Sequence, residues 1–125
     1  MPLPYGPGDG ERGMKGNIDR LKNVVASIKP SKTGEKFPIM IDCWMSLTLN
    51  YTLDLLNRIK SEILDNKSIQ SEHVKFKWIE EALPPDDYDG YAQLYKYVKT
   101  GANEIQNIMI TCGEHEYTRY GFRKL

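Results

Sequence analysis

Three carboxylates in this chain each close an apolar run. Asp42 ends FPIMID, Glu80 ends KFKWIE, and Glu114 closes NIMITCGE. Successive members stand 38 and 34 residues apart, from 42 to 80 and from 80 to 114. That interval holds one strand, one helix and two loops, the repeat of a parallel βα array. Side chains at the carboxyl ends of neighbouring parallel strands converge on one mouth. Three carboxylates there supply the hard oxygen donors that a divalent cation such as Mg²⁺ takes. A lone carboxylate in such a place is more often solvated, or caps the next helix. Recurrence at three successive strand ends argues for the metal, but spacing alone leaves both readings open.

The elements that must position these residues follow from hydrophobic period. Residues 1–10 are rich in Gly and Pro and read as a loop. Their GPGDG lacks the spacing of a phosphate-binding loop. A helix is predicted over 11–29, where Met14, Ile18, Leu21, Val24, Val25 and Ile28 recur at the helical period and Pro30 closes it. Residues 37–42 are nearly all apolar, as a central strand buried on both faces would be. A second helix is predicted over 51–65, with Leu53, Leu55, Leu56, Ile59 and Ile63 inward. A second strand covers 75–80. A third helix covers 88–99, with a stripe of Tyr91, Leu94, Tyr95 and Val98 that reads as core. The polar stretch TGANEIQ precedes a third strand over 107–111, and 118–125 begins another helix. The order α-β-α-β-α-β-(α) predicts parallel strands joined by right-handed crossovers.

Alternation along a strand sorts the side chains. Met40 and Trp44 share the side of Asp42, and Cys43 faces the helices. Trp78 shares the side of Glu80, so Glu81 points elsewhere. Cys112 shares parity with Glu114. Trp44 is a candidate sugar contact or a packed strand-end aromatic.

Composition excludes several classes. The chain has 125 residues, 40% hydrophobic and 27% charged, which suits one domain with its own core. Seventeen basic and seventeen acidic residues give a formal charge of zero, so bulk electrostatics offers nothing to nucleic acid or to a membrane surface. No apolar run approaches a bilayer span, and the N-terminus lacks the pattern of a secretory signal. A cytoplasmic setting with reduced thiols is expected. Cys43 and Cys112 have no zinc-site spacing and read as buried apolar side chains. Asn50 and Asn66 match the glycosylation sequon, which carries no weight without export.

Local sequence sharpens the three carboxylates. IDCWM, KWIEEALPPDDYDGY and CGEHEYTRYGFR stand in this order, and PYGPGDG opens the chain. Together they resemble the barrel domain of the enolase superfamily, in its mandelate racemase branch, and most closely the L-rhamnonate dehydratase family. The likeness covers essentially all 125 residues. It implies an α/β fold that is part of a (β/α)₈ TIM-type barrel. The chain would supply strands three to five with their helices, the barrel would not close, and the capping domain would be absent. It also implies that Asp42, Glu80 and Glu114 hold one Mg²⁺. The implied reaction removes the proton next to a substrate carboxylate and eliminates water, giving a 2-keto-3-deoxy acid. The substrate would be a small acid sugar, L-rhamnonate or similar, and the full-length family tends to form homo-oligomers.

The resemblance also implies what is missing. The family's His–Asp acid/base pair and a second-strand lysine have no counterpart among these 125 residues. His115 directly follows Glu114 and is a candidate substrate or second-layer contact. His73 falls in a polar stretch and reads as exposed. Two expectations result. One is a piece of an acid-sugar dehydratase that is inactive by itself. The other is a non-catalytic remnant or truncated gene product that keeps the ligands without the base.

Overall fold

The computed structural model describes residues 1–100 and 108–125. Seven elements follow in order: α1 (Gly10–Ser27), β1 (Phe37–Asp42), α2 (Leu49–Ile59), β2 (Val74–Glu80), α3 (Tyr88–Thr100), β3 (Met109–Thr111) and α4 (Arg119–Phe122). A 3-10 turn, Pro7–Asp9, leads into α1, and a π-helical turn, Lys60–Leu64, extends α2. The predicted TGANEIQ insertion, and the start of the third strand at 107, lie outside the described residues.

The three strands form one parallel sheet in the order β1-β2-β3. The sheet does not close. Parallel pairing is what the alternation of elements predicted, and an unclosed part of a barrel is what the resemblance implied. One face is covered. Ile39 and Ile41 from the first strand with Cys43 just past it, and Val74, Phe76 and Ile79 from the second, are buried with Leu21 and Val25 of α1, Leu55 and Ile59 of α2, and Leu94 and Val98 of α3. The other face carries Met40, Asp42, Trp78 and Glu80, all only half-buried. The strand at 37–42 is therefore not a central strand buried on both faces, as its composition suggested. It lies at one end of the described sheet, flanked on its outer side by Met1–Leu3, with an isolated bridge from Pro2 to Asp42. Its apolar outer residues suit a barrel interior that these residues do not enclose.

The stripe of α3 needs a second correction. Tyr91, Leu94 and Val98 are buried, but Tyr95 is 58% exposed. It stands one position round the helix from Leu94, past the rim of the core. The opening segment is tied down more firmly than a loop. Asn17, fully buried, donates to the Tyr5 carbonyl (2.9 Å) and to the Tyr51 hydroxyl (3.1 Å). The Tyr5 ring lies against α1 at Gly16, where a Cβ would come within 2.5 Å of it. Arg58 of α2 clasps Glu11 of α1 through both guanidinium ends, at 2.7 and 2.6 Å. The GPGDG loop spends its acid internally, because Asp9 accepts the Gly6 N–H (2.9 Å). A carboxylate in that position repels a phosphate.

Candidate metal centre at the strand ends

A register shift brings the first two carboxylates together. Phe37 pairs with Val74, an offset of 37, but Asp42 pairs with Glu80, an offset of 38. The change falls between Ile39 and Met40, where Lys77 is the extra residue of β2. Without that bulge Asp42 would stand opposite Ile79. With it, Asp42 and Glu80 are neighbours at the carboxyl end of the sheet, on the face away from the helices.

Each side chain has a local partner. Asp42 Oδ1 accepts the Trp44 N–H at 3.2 Å. Glu80 Oε2 accepts the Trp78 indole N–H at 3.0 Å. The backbone of Asp42 is pinned on its outer side, donating to Met1 O (2.9 Å) and accepting from Leu3 (3.2 Å). The chain then turns sharply. Trp44 and Met45 both have positive φ, 52° and 59°. Strand alternation ends there, so Trp44 does not follow Asp42 as predicted. It is 73% exposed.

Glu114 reaches the same edge by a different route. Its strand is in register only as far as Thr111, which pairs with Glu80. Gly113 follows with φ 111°, a conformation that glycine adopts freely. Glu114 then leaves the sheet, with its side chain 61% exposed and 3.9 Å from His115 Nε2. Among the described residues, no three His, Cys, Asp or Glu side chains converge as a cation shell. The structure thus sets Asp42 and Glu80 side by side and does not close Glu114 onto them. The donor chemistry fits a hard divalent cation, since all three groups are carboxylates carried by one strand edge. The side-chain arrangement is that of an open site.

The two histidines separate clearly. His73 precedes β2 at the opposite end of the sheet, where its carbonyl accepts the Phe37 N–H (2.7 Å), and it is half-buried rather than exposed as expected, its Nε2 also buried without a hydrogen-bond partner. His115 lies at the carboxylate edge, and its Nε2 is buried without a hydrogen-bond partner. Neither cysteine offers a thiolate. Burial pushes the Cys43 thiol up to about 12, and burial, followed by the nearby Glu81, raises that of Cys112. A cleft lies elsewhere, between α3 and the tail, lined by Tyr91, Tyr95, Ile110, Cys112 and Leu125. Its walls are the uncovered rim of the core, and it contains none of the three carboxylates.

One residue escaped the sequence reading. Glu81 is 3% exposed, turned to the helix side, and its Oε1 accepts the backbone N–H of Gly113 (2.7 Å) and of Glu114 (2.9 Å). Its φ is 44°, a conformation that costs a non-glycine residue about 1–3 kcal/mol. The signal was present. A glutamate at core parity directly after a candidate ligand is a buried polar group in need of a partner.

A model of the enolase C-terminal domain-like family matches residues 8–125. This chain belongs to that family. Two solved structures of rhamnonate dehydratase from Gibberella zeae are similar to it. One, complexed with Mg, is 38% identical with a TM-score of 0.73. The other is 36% identical with a TM-score of 0.68. The likeness covers 98% of this chain in both cases, but 24% and 25% of the two dehydratase chains. The chain thus spans about a quarter of the enolase-type proteins it matches.

Proposed function

We propose that this chain supplies the metal-holding part of a Mg²⁺-dependent acid-sugar dehydratase, similar to L-rhamnonate dehydratase of the mandelate racemase branch. The observation that carries the reading is the in-register pair of Asp42 and Glu80, on one face at the carboxyl end of a parallel sheet. Similarity to a dehydratase solved with Mg supports it. Asp42, Glu80 and Glu114 would hold the ion. When bound, Mg²⁺ supplies positive charge that stabilises negative charge building on a substrate carboxylate. The chain's own residues prepare for it. The Trp78 indole aims one Glu80 oxygen and leaves the other uncommitted. The Trp44 amide does the same for Asp42. His115 stands at the same edge beside Glu114 and would contact substrate oxygen. Removal of the proton is assigned to no residue of this chain.

A specific observation favours a second reading. Glu114 does not close on the other two carboxylates, as in a non-catalytic remnant that retains ligand residues without a working site. Titration with Mn²⁺, followed by loss of the free-ion electron paramagnetic resonance signal, separates the two. Saturable binding that Glu80→Gln weakens at least about tenfold supports the metal site. Equal behaviour of the two proteins favours the remnant.

A further inference from the structure

The three ligand-bearing strand ends are joined through one residue that is not a ligand. The Glu81 N–H donates to the Thr111 carbonyl (2.9 Å), and its own carbonyl accepts the Met45 N–H (2.5 Å). Its backbone therefore bridges the chain just past Asp42 and the last paired residue before Glu114. Its side chain then takes both N–H groups of Gly113 and Glu114 on a single oxygen. The second oxygen, Oε2, is buried and has no hydrogen-bond partner. No ion pair of the described residues includes Glu81.

This is a costly residue for mere filling. A buried carboxylate without a cation is unfavourable, and the backbone at φ 44° is one that side-chain-bearing residues rarely adopt. The gain lies at the next strand. Three residues of extended chain would carry Glu114 roughly 10 Å past Thr111, away from the level of Glu80. Instead its amide sits 2.9 Å from a carboxylate one residue past Glu80. Gly113 alone, with its wide conformational freedom, would leave that segment undirected.

We propose that Glu81 is a positioning residue for the metal centre, clamping the Gly113–Glu114 backbone so that the Glu114 carboxylate is presented at the level of Asp42 and Glu80. The assignment rests on the metal site proposed above. Two measurements on the full chain test it: amide hydrogen exchange at Gly113 and Glu114, and Mn²⁺ titration of wild type, E80Q, E81Q and E81L. Both amides exchange slowly in the wild type. E81Q, which keeps an acceptor oxygen, preserves that protection and binds Mn²⁺ within a few-fold of wild type. E81L loses the protection and binds about 10–100-fold more weakly, the usual cost of removing a group that orients a ligand. If E81L does not fold, E81D, one methylene short of both amides, takes its place in the comparison. Free exchange of the two amides in the wild type overturns the clamp without any variant. Mn²⁺ binding abolished in E80Q but unchanged in E81L overturns the role of Glu81 and leaves the metal site standing. Absence of Mn²⁺ binding to the wild type removes both.

Discussion

Adjacent glutamates at the end of β2 serve different faces. Glu80 turns to the open face beside Asp42, and Glu81 is buried, its carboxylate taking the Gly113 and Glu114 amides. That division was legible from alternation, because pairing continues one residue past each strand, where the Cys43 N–H donates to the Glu80 carbonyl (2.9 Å). The position of Trp44 was not, because two consecutive positive φ values end the alternation. Core residues also set a pH response. The Tyr91 hydroxyl donates to the Leu83 carbonyl (2.8 Å) and accepts its N–H (3.2 Å). Burial raises its phenol well above the usual value near 10. Burial also raises the Cys43 thiol, to about 12. In each case the unfolded chain loses the proton first. Stability is therefore intact below the ordinary thiol and phenol ranges and falls as pH climbs through and above them. Thermal melts in increasingly alkaline buffer are expected to show this decline. Tyr91→Phe should flatten its upper part, while costing about 1 kcal/mol at neutral pH for the lost hydrogen bonds. An identical decline in the variant would assign the effect elsewhere.

The elements were predicted closely where one period dominates. The strand at 37–42 matches its prediction, and the second strand begins one residue earlier than expected. The ends of the first and third helices shifted by a residue or two, whereas the α-helical part of the second gives way to a π-helical turn at Lys60 and the tail helix stops at Phe122. The first helix stops at Ser27, before Pro30, because Ile28 is already extended. The third begins after Asp87, whose Oδ1 accepts the Gly90 N–H at 2.9 Å. That cap fits only because Gly90 has no side chain. A Cβ there would lie 2.2 Å from Asp87 Oδ2. Asp87→Ala is expected to destabilise the chain by about 1 kcal/mol in urea unfolding, and Asp87→Asn to recover most of it. Equal stability of all three proteins would show that the cap contributes nothing. The bulge at Lys77 could not be seen in advance. Both strands look regular in sequence, and an inserted residue shows only when the partner strand is known.

At the scale of the molecule, the parallel sheet covers one face and leaves the other to solvent. Tyr95, Met109, Tyr120 and Phe122 remain exposed around its third strand. Chemistry requires more than this arrangement provides. The three carboxylates do not converge, and His115 is the only histidine at their edge. The 125-residue chain by itself is therefore expected to give no dehydration of L-rhamnonate. Formation of the keto acid that disappears in E80Q would overturn that expectation. The sequence by itself determined the order of elements, the parallel sheet, the family and the faces of Asp42 and Glu80, because all of these depend on local period and local motif. Only the tertiary structure decided that a bulge aligns Asp42 with Glu80, that the first strand lies at the sheet's end, and that Glu81 anchors Glu114. Each of those depends on pairing between segments more than thirty residues apart, and register between strands is set by packing and hydrogen bonds that neither strand carries alone.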